Sequence, residues 1–246
     1  MNRKANRKTV CISILFLAAG GLCHAESSPL PPECGVLRNA YGPFDYRNPE
    51  NADSIRKVTD FHFNSDVENL RKGLSSKIGA DLNYTLRAVP NHHRALMSVT
   101  RLGLREKRST PVGAGYSVQC FLMRAEAFRP DDAMVKVIFG HYLLKQGQRA
   151  QALGKLDEAN ASDSGSVNVF YNLGLAYMDA GEYEKALINA HRAYQGGFPL
   201  PGLRDKLKRA GRWTDLAPVP QTVREEASEK ETAMGAEGST PESKAK

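Results

Sequence analysis

Residues 167–193 carry apolar positions with the spacing of two consecutive helices. Phe170, Leu173 and Tyr177 fall at i, i+3 and i+7, which places them on one stripe of a helix. Gly181 follows, and glycine readily ends a helix because it accepts a positive φ. A second helical run then places small and apolar residues on its inner side: Leu187, Ala190 and Ala193. The pattern predicts two antiparallel helices joined by a short turn.

The same pattern occurs a second time, 34 residues upstream. Five residues in the two copies are identical at this offset: Val135/Val169, Gly140/Gly174, Gly147/Gly181, Ala152/Ala186 and Ala159/Ala193. Self-similarity at a fixed period of about 20–50 residues is typical of repeat proteins. Residues 133–166 and 167–198 are therefore predicted to be tandem copies of one helix pair. An ordinary helical hairpin would not explain the identities.

The motif F-x-x-L-G-x-x-Y at residues 170–177, followed by Ala186, resembles the tetratricopeptide repeat family, with Phe in place of Trp. The resemblance is clear over residues 133–193 and extends more weakly over 91–213. It implies an all-α fold of tandem antiparallel helix pairs, an α-solenoid, in which the first helices of successive repeats line a groove. It also implies an exported protein that binds another protein or peptide, without catalysis and without a cofactor.

The resemblance further implies which residues face that partner. They are Met134, Val137, Ile138, His141, Leu144 and Lys145 from one first helix, and Asn168, Tyr171, Asn172, Leu175, Met178 and Asp179 from the next. Asn172 stands where family members often hold a peptide backbone, but the upstream copy has Ile138 there. A complete clamp for a terminal carboxylate is therefore not expected. We expect a mainly apolar groove for a helix or hydrophobic peptide, although Val137 and Leu175 could instead belong to the core.

The pattern upstream predicts further helix pairs. Ser65-x-x-Glu68 has the form of a capping box, and an apolar stripe follows it: Val67, Leu70, Leu74 and Ile78. Residues 65–90 are thus predicted to be a degenerate pair that stops at Pro90. Residues 91–132 are predicted to be a full repeat with six inserted residues in the loop 108–115, where an insertion is tolerated best.

Both ends of the repeat array have their own predictions. Residues 199–213 are predicted to form a capping helix, with Leu200, Leu203, Leu207 and Ala210 inward, because an open array must cover its last apolar face. Residues 214–246 are rich in Glu, Lys, Ser, Ala and Pro, which predicts a disordered tail. Residues 26–64 contain five prolines, which predicts an irregular N-terminal arm.

Residues 1–25 have the form of a secretory signal peptide, with four basic residues before a thirteen-residue apolar run. This run is too short to span a bilayer comfortably. Small side chains at the −3 and −1 positions predict cleavage after Ala25, and hence a secreted or periplasmic protein. Two alternatives are a lipoprotein acylated at Cys23 and a structural subunit anchored in the membrane by an uncleaved signal.

Charge and cysteine content refine this picture. The chain has 34 Lys and Arg against 27 Asp and Glu, a formal net charge of +7, and loss of the signal would lower it to about +3. A mildly basic body could favour an acidic partner, although a solvated surface explains it equally, and export disfavours nucleic acid. Cys34 and Cys120 are the two cysteines beyond the signal. An even pair in an exported chain predicts a disulfide that clips the arm to the repeats.

An enzymatic alternative depends on three histidines. His62, His92 and His93 could take part in a metal-dependent hydrolase, yet adjacent residues on a helix point about 100° apart and do not easily share a metal. The sequence contains no G-x-S-x-G, H-E-x-x-H or G-x-x-x-x-G-K-[ST] motif. Asp131 and Asp132 follow Pro130, where negative charge favours the start of a helix. We therefore expect no catalytic residues and no metal site.

Overall fold

The computed structural model describes residues 30–74, 77–162 and 164–215, and the regular secondary structure in these ranges is helical. The helices are α1 Ala52–His62, α2 Ser65–Glu68, α3 Ile78–Ala88, α4 His93–Glu106, α5 Val118–Phe128, α6 Ala133–Lys145, α7 Arg149–Ala161, α8 Val167–Ala180, α9 Tyr183–Gln195 and α10 Gly202–Arg209. The all-α fold class is confirmed. The predicted signal peptide, 1–25, and residues 216–246 of the predicted tail lie outside the described residues.

Four consecutive helices follow the 34-residue period. α6 and α8 begin at Ala133 and Val167, and α7 and α9 begin at Arg149 and Tyr183. α6 packs on α7 and α8 packs on α9, while α8 also contacts α6 and α7. The helices of the structure therefore recur with the period found in the sequence.

Gly140 and Gly174 let the two helices of each pair approach closely. A Cβ atom on Gly140 would lie 3.2 Å from the carbonyl oxygen of Ala152 in α7. A Cβ atom on Gly174 would lie 3.3 Å from the carbonyl oxygen of Ala186 in α9 and would collide with Leu203 of α10. α8 is therefore held against two helices at once by a residue that has no side chain.

α6 separates the two main apolar clusters of the fold. Ile138 and Phe139 belong to the cluster built with α3, α4 and α5, whereas Val137 belongs to the cluster built with α8, α9 and α10. Met134 and Leu144 pack against both clusters. Because α6 is covered on two sides, its sequence is apolar on most of its circumference.

The N-terminal arm is more regular than the sequence predicted. α1 lies within the stretch 26–64, which was expected to be irregular because of its prolines. All five prolines precede α1, and Pro49 itself opens a short 3-10 turn whose N-cap is Asn48. Ile55 and Val58 are buried against the end of α3 and so hold α1 on the repeats.

The helix expected from Ser65 onwards is only one turn long. Its N-cap is Asn64, whose side chain accepts hydrogen bonds from two backbone amides, rather than Ser65. Leu70 then adopts a φ of 58°, which ends the helix. The Asp81 carboxylate accepts a hydrogen bond of 2.7 Å from the Leu74 amide and fixes the chain in a non-helical path. The apolar stripe predicted across this segment is therefore not formed by one helix.

Two contacts clamp the arm onto α5. Cys34 and Cys120 form the predicted disulfide, which closes a loop with a sequence separation of 86. One turn further along α5, Arg124 is 1% exposed and donates 2.8 Å hydrogen bonds to the carbonyl oxygens of Cys34 and Val36. Its guanidinium also lies 4.7 Å from the centre of the Tyr116 ring. Burial lowers the pKa of Arg124, yet carbonyl oxygens and an aromatic face still stabilise its charge.

α10 covers the exposed end of the α8–α9 pair. Leu203 and Leu207 are fully buried beneath it. Leu200, which was expected to point inward, is 58% exposed because α10 begins only at Gly202. Trp213 packs on the ring of His191, 4.7 Å away, and joins the end of the described chain to α9.

The close approach at Gly174 predicts opposite effects of one added methyl group at two glycines. Gly174→Ala should lower the free energy of unfolding by about 1–3 kcal/mol, because Leu203 and the α9 backbone must move. Gly154→Ala, in the exposed middle of α7 where a Cβ would meet nothing within 4 Å, should raise it by about 0.5–1 kcal/mol. Urea unfolding measures both, and equal effects at the two sites would contradict this packing.

The clamp predicts coupling between Arg124 and the disulfide. Arg124→Met should cost about 2–4 kcal/mol of unfolding free energy, because the buried carbonyl of Cys34 and the partly buried carbonyl of Val36 lose their donor. The cost should be smaller when both cysteines are Ser, since the released segment can then hydrate its carbonyls. Chemical denaturation of the four proteins in this cycle measures the coupling. Arg38→Met, at an exposed site, is the control and should change stability by less than about 0.5 kcal/mol.

Candidate functional site

A groove of about 400 Å³ runs across the first helices of the successive pairs. It crosses α4, α6 and α8, with the end of α2 at one edge and α10 at the other. Its lining residues are Glu68, Asn69, Arg94, Met97, Thr100, Arg101, Leu104, Met134, Val137, Ile138, His141, Tyr142, Asn172, Leu175, Ala176, Asp179 and Lys206.

Seven of the residues expected to face a partner line this groove: Met134, Val137, Ile138, His141, Asn172, Leu175 and Asp179. Val137 and Ile138 are 3% and 5% exposed and form the floor of the groove, so they are also core residues. For Val137, the sequence had left a place in the core open as an alternative. Lys145 lies at the rim, where its Nζ is 3.3 Å from Asp179 Oδ2.

Five expected residues are not in the lining: Lys145 at the rim, Leu144, which packs against both apolar clusters, and Asn168, Tyr171 and Met178. The Tyr171 ring stacks on Phe198, with ring centres 4.0 Å apart, and therefore points toward the segment after α9. Met178 packs into the cluster formed with α9 and α10. Asn168 is exposed at the start of α8, where its carbonyl oxygen accepts a 2.8 Å hydrogen bond from the Asn172 side chain.

The sequence reasoning missed the contribution of α4, although a signal for it was present. The repeat that contains α4 has six inserted residues, so equivalent residues of α4 and α6 lie 40 positions apart instead of 34. At that offset four lining residues of α4 match residues of α6 that were expected to face the groove: Arg94/Met134, Met97/Val137, Arg101/His141 and Leu104/Leu144. Transferring the partner-facing positions of α6 to α4 with an offset of 40 would have predicted these four residues.

Around Asp179 the groove carries a cluster of basic groups. The nitrogen atoms of Lys145, Lys206 and His141 lie 3.3–3.6 Å from its carboxylate oxygens. Burial alone would raise the pKa of Asp179, but Lys206 and Lys145 outweigh it and hold that pKa below its usual value. Burial and the nearby Lys145 lower the pKa of His141, so its ring is mainly neutral at neutral pH.

At the opposite end, α4 presents three arginines. Arg94 forms a two-pronged ion pair with Glu68. Arg101 and Arg105 instead donate hydrogen bonds of 2.7 and 2.6 Å to the backbone carbonyl oxygens of Glu68 and Leu70. The two guanidinium groups are therefore hydrogen-bonded, but these neutral acceptors do not neutralise their positive charge.

The three histidines of the enzymatic alternative have different hydrogen-bond partners, although His92 and His93 both pack on the Tyr46 ring. The Nδ1 atom of His62 is 3.1 Å from Asp81 Oδ1, and the ring stacks on Tyr84. His93 Nε2 is 2.9 Å from Asp132 Oδ2. His92 is the N-cap of α4 and accepts a 3.2 Å hydrogen bond from the amide of Ala95, three residues further along the chain.

A buried polar network surrounds Asp132, which is also the N-cap of α6. Asn91 donates hydrogen bonds to both Asp132 and Asp45, at 3.0 and 2.6 Å. Arg47 forms ion pairs with these two carboxylates, at 3.3 and 3.5 Å. Asp45 and Arg47 belong to the N-terminal arm, so the network ties the arm to α4 and α6. These partners satisfy the polar groups and indicate a structural role.

Residues 30–74, 77–162 and 164–215 contain no group of three or more His, Cys, Asp or Glu placed to hold a metal ion. No helix in these ranges is long and apolar enough to cross a membrane. Comparisons of the chain with protein-family models, curated proteins and solved structures gave no match.

The buried site of His92 predicts how stability depends on pH. Burial against Tyr46 and Phe63, together with repulsion from His93, lowers the pKa of His92 to about 3. Below pH 6.5 the unfolded chain binds a proton that the folded chain excludes, so stability falls as pH falls. Between pH 7 and 4 this site should remove about 3 kcal/mol of unfolding free energy.

His92→Asn tests this prediction, because Asn can still cap α4. The variant should be less stable at pH 7, since a smaller side chain leaves space, but its stability should depend less steeply on pH. His141→Gln, in the groove, is the matched control and should change the slope less. An unchanged slope in His92→Asn would contradict the assignment.

Proposed function

We propose that this chain is a tetratricopeptide-type scaffold of the periplasm, which binds a segment of another protein in the groove and so helps to assemble an envelope complex. It acts by binding, and it makes and breaks no covalent bond. The observation that carries the proposal is the groove itself, which is built by α4, α6 and α8, the first helices of successive pairs.

The 34-residue recurrence of α6–α9 supports the family assignment. In tetratricopeptide proteins each repeat contributes its first helix to a shared binding surface, and here the first helices of adjacent pairs are in contact. Gly140 and Gly174, at the same position of the motif, both stand at close helix approaches. The repeat therefore explains the packing as well as the sequence pattern.

Three features support export. Four basic residues precede the apolar run of the predicted signal, and cleavage is expected after Ala25. The disulfide between Cys34 and Cys120 also fits this location, because disulfides persist in oxidising compartments and are rare in the cytosol.

The chemistry of the groove favours an amphipathic segment as partner. Its floor is apolar, and Met97, Met134 and Leu175 can adapt to different apolar side chains. An amphipathic helix would place residues at i, i+3, i+4 and i+7 on this floor. The basic rim favours acidic groups on the flanks of such a helix.

Crosslinking in cells tests the proposed function. A photoreactive amino acid at Leu175 or Met97 should capture the same partner protein, because both side chains line the groove. The same probe at Ile188, 58% exposed on α9 and outside the lining, is the control. The substitution Leu175→Glu should reduce capture by the probe at Met97 at least tenfold, whereas Ile188→Glu should leave that capture unchanged.

Equal capture from Ile188 and from the groove would contradict the proposal. So would different partners for Leu175 and Met97. Tyr171 and Met178, which the sequence predicted to face the partner, are unsuitable as probe sites because they pack against other parts of the chain.

A further inference from the structure

Positive charge exceeds negative charge along the groove and its rim. Five basic side chains lie there: Arg94, Arg101, Arg105, Lys145 and Lys206. They face two carboxylates within the described part of the chain, Glu68 and Asp179, which lie at opposite ends. The middle of α4 is the least compensated region, because Arg101 bonds only neutral oxygens in the contacts that the structure describes.

The sequence after the last described residue has the complementary character. Residues 223–234 read VREEASEKETAM and carry four glutamates against one arginine and one lysine. On a helix, Val223, Ala227 and Met234 would fall within about 40° of one another, on a face that Glu226 and Glu231 would flank and that Glu225 and Glu229 would oppose. This segment therefore offers an apolar stripe and acidic flanks, the pattern that the groove favours.

The covalent path from the groove to this segment is short. Lys206 lies on α10 at the groove edge, and after α10 the described chain packs on α9, where the Trp213 ring lies 4.7 Å from His191 and 6.1 Å from Tyr194. Seven residues then separate Asp215 from Val223. They can span up to about 25 Å when extended, compared with a length of about 12 Å for α10.

We propose that residues 223–234 dock in the groove of their own molecule when no partner is bound, with their glutamates against the basic rim. The occupant is local, so its effective concentration is of millimolar order and even a weak contact is populated. A partner would have to displace this segment. This docking requires only the groove and the tail, so it does not depend on the proposed partner function.

Photocrosslinking within the purified full-length chain, with its disulfide intact, tests this inference. A benzoylphenylalanine at Met97, 38% exposed in the groove, should form a bond to peptides from residues 223–234, and mass spectrometry of the monomer should locate it. The same probe at Ile188 should give at least fivefold less of this product. Raising NaCl from about 50 to 500 mM should also reduce the yield, because salt screens exposed charges.

Two glutamine variants, one inside the segment and one beyond it, isolate the electrostatic part. The variant E225Q/E226Q/E229Q/E231Q should lower the yield from Met97 at least fivefold, whereas E237Q/E242Q should leave it unchanged. No product with residues 223–234, or an equal product from Ile188, would overturn the inference. Products found only between two copies of the chain would also overturn it, because they would assign the groove to a second copy. None of these outcomes decides the proposed partner function, which is tested separately by in-cell capture with the probe at Leu175.

Discussion

The close approach of neighbouring helices at Gly140 and Gly174 is the constraint on which the rest of the structure depends. Without a side chain at these positions, α6 sits directly on α7, and α8 fits between α9 and α10. The outward-facing residues of α4, α6 and α8 then form one continuous surface instead of three separate helices. The groove is thus a consequence of backbone packing on the other side of the same helices.

The N-terminal arm is a second, independent constraint. It is joined to α5 through Cys34 and Arg124, and to α4 and α6 through the polar network of Asp45, Asn91 and Asp132. Buried polar contacts of this kind depend on accurate geometry, because each unpaired group would cost free energy. The arm therefore fixes the relative positions of the helices that form the upstream half of the groove.

Local sequence signals predicted the repeated part of the fold well. The period of 34 residues placed the glycines and the first helices, because a repeat unit carries its packing rule with it. Prolines obscured α1, since all of them precede the helix, and the path of residues 69–74 depends on the tertiary contact from Asp81 to Leu74. Tyr171 was misplaced in the groove because its partner, Phe198, lies after α9, outside the helix-pair pattern of residues 167–193.

The groove combines an apolar floor with a basic rim, and both proposals, an external amphipathic partner and the acidic segment of the chain itself, rest on this combination. Both proposals require that binding takes place on the first helices, α4, α6 and α8. Hydrogen–deuterium exchange of the purified chain, with and without the protein captured through Leu175, tests this most directly. Exchange should slow in peptides from α4, α6 and α8, with little change in α7 and α9. Protection confined to α7 and α9 would contradict it.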